Sequence, residues 1–134
     1  MRLRAALALM AITACDVLEP EGRSQRSTFT TAFTREEVRT RAEGWLAERA
    51  QYDVTRAEAA FVRAEKRRPR SVGPGDQIDV QSVTIETVPE GTRVEVLAQT
   101  WLATGGGRER ADQLSPEAWT DHQALVQVLM ARPS

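Results

Sequence analysis

The chain has 134 residues, 28% of them charged, and a formal net charge of −1. That length suits one domain with a core of its own, too short for two and able to fold without disulfides or metal. The near balance of charge excludes binding to nucleic acid through bulk electrostatics.

Met1-Arg2-Leu3-Arg4 is a short positive leader, followed from Ala5 to Ala14 by an uncharged, largely apolar run. Ten residues match the apolar region of a secretory signal. As a helix they would span about 15 Å, half of a bilayer's hydrocarbon core, so they are not a transmembrane anchor. The run ends in Ile12-Thr13-Ala14-Cys15, and Cys15 is the single cysteine of the chain. These four residues resemble the lipobox of bacterial lipoproteins. The resemblance covers the leader alone, with Ile12 in place of the commoner Leu and Thr13 in place of Ala or Ser. It implies cleavage before Cys15, diacylglycerol on the Cys15 thiol, and a mature chain held in the cell envelope by its acyl chains. Two or three acyl chains anchor stably where one binds marginally. Asp16 follows the cysteine. In some Gram-negative lipoproteins an acid there favours the inner membrane, but the choice between inner and outer membrane is left open.

Loss of residues 1–14 lowers the basic count from 18 to 16 against 19 acids, a net charge of −3. A chain with no other cysteine forms no disulfide, which agrees with an anchored thiol in an oxidising compartment. From Cys15 to Thr28 the sequence is polar, with Pro20 and Gly22 and no periodicity, and is expected to be a flexible tether. The folded domain is expected over residues 29–134.

Thr34-Arg35-Glu36-Glu37 fits a capping box, and Phe33 and Val38 stand at the two positions of a hydrophobic staple. Val38, Ala42, Trp45 and Leu46 recur at helical spacing, predicting an amphipathic helix that ends near Arg49. Tyr52 and Val54, then Ala60, Val62 and Ala64, alternate as two short strands with "RAEA" as the connection. A single helix over Thr55–Lys66 is the competing reading, since Arg, Ala and Glu are good helix formers. Ile78 and Val80 are followed by Val83 and Ile85, a change of parity that a bulge near Gln81-Ser82 would explain. Val88-Pro89-Glu90-Gly91-Thr92 reads as a hairpin turn. Val94, Val96, Ala98 and Thr100 then line one face of a long strand, with Leu97 and Trp101 on the other. "TGGGRERADQ" is expected to leave the sheet as a mobile loop. Ser115 as N-cap and Pro116 at the first helical position open a last helix carrying Trp119, His122, Leu125, Val126, Leu129 and Met130. The expected fold is therefore α+β, in the order α-β-β-β-β-α, with an antiparallel sheet and both helices packed on one face.

Few residues announce chemistry. His122 is the only histidine, and without a second histidine or a mature thiol it reads as a histidine at the core edge, not a catalytic or metal-binding group. Glu36-Glu37 is accounted for by the helix cap and dipole. Gly105-Gly106-Gly107 lacks the Lys-Ser/Thr continuation of a phosphate loop. No catalytic set, metal site or cofactor is expected. Lys66, Arg67, Arg68 and Arg70 form a basic run suited to anionic lipid heads or acidic envelope polymers, or else to a solvated hairpin end. Trp101 becomes the centre of a partner patch if it lies on the uncovered sheet face. The sequence thus points to a lipid-anchored envelope protein with a small non-enzymatic structural or binding domain facing the periplasm or exterior. Its partners would be the bilayer, through acylated Cys15, and an envelope protein. The competing function is a ligand carrier or enzyme with a pocket between sheet and helices.

Overall fold

The computed structural model describes residues 22–70 and 73–130. The first element is strand β1 (Ser24–Thr31), followed by helix α1 (Arg35–Gly44), which continues as a π turn (Trp45–Arg49). Strands β2 (Asp53–Glu58), β3 (Phe61–Pro69), β4 (Asp76–Val88), β5 (Gly91–Thr104) and β6 (Gly107–Arg110) come next, and helix α2 (Pro116–Met130) follows them. The fold is α+β. All pairings are antiparallel, in the order β1-β5-β4-β3-β2, with β6 joined to the far end of β5.

The predicted helix starts are local and form as the residues dictate. The Thr34 hydroxyl accepts from the Glu37 amide at 3.1 Å, and the Glu37 carboxylate accepts from the Thr34 amide at 2.8 Å. Ser115 Oγ accepts from the Ala118 amide at 3.0 Å, opening α2. After the π turn, Gln51 takes a left-handed φ of 60° and Tyr52 N–H returns to Leu46 O at 2.7 Å, ending the helix.

Four expectations need correction. The order is not α-β-β-β-β-α, because two more strands form. Residues 24–28, expected in the tether, are the first part of β1, paired from Ser24 opposite Gln99 to Thr31 opposite Thr92. "GRER", expected in a mobile loop, is β6, paired with Trp101 to Thr104. Both segments are polar strands at a sheet edge, whose backbone groups find partners only once β5 is in place.

The third correction concerns β4, which has no bulge at Gln81-Ser82. Its register runs unbroken against β3 from Asp76 to Thr84 and against β5 from Gln77 to Val88. Ile78 and Val80 simply lie on the opposite side of the sheet from Val83 and Ile85, and all four are buried. The fourth is the connection between β2 and β3, which is Ala59-Ala60, not "RAEA"; Thr55–Lys66 is strand, turn and strand.

The main core joins Val38, Ala42 and Leu46 of the first helix and Leu125, Val126 and Leu129 of α2 to Val62, Ala64, Val83, Ile85, Val94 and Val96 of the sheet. The strand positions are alternate residues that the register places on one side. Fully burying such a side chain contributes roughly 1.5–3 kcal/mol, so this interior supplies most of the stability.

Candidate functional site

The basic run on β3 is divided by the alternation of a strand. Lys66 and Arg68 point to the core side, where Lys66 Nζ donates to Ala50 O at 2.7 Å and lies 5.8 Å from the centre of the Tyr52 ring. Arg67 lies on the other side, paired with Asp76 at 3.1 Å, and Arg70 donates to Pro74 O at 3.2 Å. The four cations are therefore not one surface, and each already has a partner.

Arg68 belongs to a polar network that fastens α2 to the sheet. Its Nε donates to Asp79 Oδ2 at 2.8 Å and its Nη2 to Asp121 Oδ2 at 3.0 Å. Asp79 is wholly buried, and its Oδ1 also accepts from Thr100 Oγ1 and Ser115 Oγ, each at 2.9 Å. Thr100 Oγ1 in turn accepts from the Ser115 amide. Burial opposes the charge on Arg68, but the bond to Asp79 and the charges around it outweigh that and hold its pKa above the ordinary value. Burial, above all, pushes the Tyr52 phenol up, so it stays protonated and donates to Asp121 Oδ2 at 2.8 Å. Gln81 completes the network by donating to Ala118 O at 3.0 Å. A surface groove of about 390 Å³ borders Arg68 and Asp121. Arg68 and Asp121 in its wall are tied to each other, which suits a clamp between elements.

His122 is fully buried, with Nε2 2.8 Å from Ser27 Oγ and Nδ1 without a partner. Burial lowers its pKa to about 4, so the ring is neutral at physiological pH. We assign the proton to Nε2, which leaves an orphaned lone pair and not an orphaned N–H. Among the described residues, no three His, Cys, Asp or Glu side chains are grouped to hold a metal ion. Also among them, no helix is long and apolar enough to cross a membrane. Cys15, the expected leader and the first part of the expected tether lie outside the described residues.

Trp101 occupies the other side of the sheet, half-buried, opposite Ile78 on β4 and Arg110 on β6. The Arg110 guanidinium stands 5.6 Å from its ring centre. Ile78 and Val80 lie on this side yet are 2% and 1% exposed. Arg108 on β6 bridges to Glu65 on β3 at 3.2 Å, although the two are three strands apart. In a flat sheet three strand spacings alone are about 14 Å. Arg63 also reaches Glu65, at 3.2 Å, and Arg26 stands 3.9 Å from Glu95. This side therefore carries a small apolar floor of Ile78, Val80, Leu97 and Trp101 beside arginine side chains. The N–H groups of Trp101 Nε1 and Arg110 Nε have no acceptor in the protein. Such a face presents an aromatic ring edged by guanidinium groups, of which Arg63 and Arg108 already share Glu65.

Sequence reasoning singled out Trp101 and passed over Arg108, Arg110, Glu65 and the pair Ile78/Val80. The parity change in β4 was the available signal, because it marks a strand buried on both sides.

No family model matches the chain, and no curated protein matches it. Among solved structures it is similar to a DUF4468 family protein from Bacteroides ovatus ATCC 8483, at 12% identity and a TM-score of 0.49, over 86% of this chain and 90% of that one.

Proposed function

We propose that the chain is a bacterial envelope lipoprotein, acylated at Cys15, whose α+β domain serves as a non-enzymatic binding module. Both helices cover one side of the sheet, and the Trp101 side is the working surface. The observation that carries this reading is the face itself. A half-buried tryptophan and apolar floor sit among Arg26, Arg63, Arg108 and Arg110. Desolvated aromatic and arginine side chains are the usual anchors of protein interfaces. The partner is an acidic segment or surface of another envelope protein. A ligand pocket between sheet and helices finds less support, because Val38, Ala42, Leu46, Leu125 and Leu129 fill that layer with no exposure.

Two measurements test the two halves separately. Intact mass of the membrane-extracted protein should show loss of residues 1–14 and added acyl chains, and Cys15→Ser should release the protein to the soluble fraction. A photo-crosslinking residue at Leu97 should give protein adducts in envelope preparations that Arg110→Glu reduces, while the same probe at Glu48 should not. Equal adducts at both positions would remove the Trp101 face from the proposal.

A further inference from the structure

The large hydrophobic side chains that remain exposed among the described residues are Trp119 and Met130, at 50% and 51%. They lie 11 residues apart on α2, which at 100° per residue puts them on one side of the helix, about 16 Å from each other. Gln123, half-buried, falls between them and Val126 on the same side is packed into the core, so the exposed part of the stripe carries no charge. Glu117 and Asp121 lie on the opposite side of the helix, and Asp121 is turned inward to Tyr52 and Arg68.

The start of this stripe is also where the chain enters the domain. Gly22, Ser24 and Gln25 line a groove of about 480 Å³ with Leu114, Pro116 and Trp119. Gly22 O accepts a backbone hydrogen bond from Leu114, fixing the entry point beside α2. Because β1 begins at Ser24, the segment from Cys15 to the domain is short. Seven residues span at most about 25 Å by any path, less than the diameter of a domain of this size.

From this placement we infer that the stripe from Trp119 to Met130 is a phospholipid-docking surface, holding α2 along the bilayer while the rest of the domain faces away. The inference rests on acylation of Cys15. A short anchor brings the entry point to the headgroups, and the nearest exposed large side chain is a tryptophan, which favours the interface between headgroups and acyl chains. The uncharged stripe enters that region without desolvating an ion.

The test uses the full-length protein extracted from membranes and reconstituted in phosphatidylethanolamine and phosphatidylglycerol vesicles with dibrominated acyl chains. Bromine should quench part of the tryptophan emission, and Trp119→Phe should remove most of that quenching, leaving the emission of Trp45 and Trp101. Because Trp119 is exposed, its replacement should leave the thermal melt unchanged, which checks the fold. An acylated, vesicle-bound protein whose quenching is the same with and without Trp119 overturns the docking surface and leaves the anchor standing. A mass spectrum without acyl chains overturns both. Efficient crosslinking of position 119 to a protein, with no bromine quenching, would assign the stripe to a protein partner and likewise overturn the inference.

Discussion

Arg67 and Arg68 are neighbours in sequence and opposite in energetics. Arg67 meets Asp76 at an exposed site, where an ion pair is worth about 1 kcal/mol or less. Arg68 compensates Asp79, which has no exposure at all. Removing one partner of a buried pair costs about 3–5 kcal/mol, because the other charge is left in the interior. Arg68→Ala should therefore lower unfolding stability by that order in a denaturant titration at pH 7, and Arg67→Ala by less than about 1 kcal/mol. His122 carries a second prediction. Its folded pKa, near 4, lies below the unfolded value near 6.5, so the unfolded chain binds the extra proton first as pH falls. The stability associated with neutral His122 is complete above pH 6.5 and is lost as pH falls towards 4, by up to about 3 kcal/mol. His122→Gln, which keeps a donor for Ser27, should flatten the pH dependence of stability in that window. The sequence places His122 at the core edge; its full burial and its bond to Ser27, 95 residues away, appear only in the structure.

At the scale of elements, local chemistry was legible where it closes on itself. The capping box, the Ser115 cap and the hairpin between β4 and β5 each need only a few adjacent residues. In that hairpin Pro89 holds its own φ near −65°, which excludes the primed turns that match strand twist. The misfit is taken up at Gly91, whose φ is 144° and where a Cβ would stand 2.7 Å from Thr31 O. Gly91→Ala should destabilise the protein by about 2 kcal/mol or more, read from the denaturation midpoint, through both backbone strain and that clash. β4 was misread because period-two reasoning assumes one wet face. Asp79 and Gln81 occupy the core side beside Val83 and Ile85, so the polar residues mimic an outward-facing register. Only their bonds to Arg68, Thr100, Ser115 and the Ala118 carbonyl show why they are inside.

For the molecule as a whole, the point at which β1 begins decides what can be cut away. Removing residues 1–21 should leave the thermal melt cooperative and nearly unchanged. Removing residues 1–28 strips five residues of β1 with their pairing to β5 and the bond from Ser27 to His122. That truncation should lower the melting temperature by about 10 °C or more, since each kcal/mol corresponds to 4–8 °C in a domain of about 100 residues.

What the residues determined by themselves is whatever depends on near neighbours or on periodicity. They specify both helices with their caps, the β4–β5 hairpin, the α+β class, and the expectation of a lipid on Cys15. Tertiary structure alone decided the rest. It made strands of "SQRSTFTT" and "GRER", whose hydrogen bonds are supplied by β5, and it divided one basic run between two faces. It also brought Arg108 of β6 to Glu65 of β3 across the strands between them. The physical reason is common to these cases. A polar edge strand or a buried ion has no favourable local state to betray it, and becomes stable only when a distant segment provides its partner.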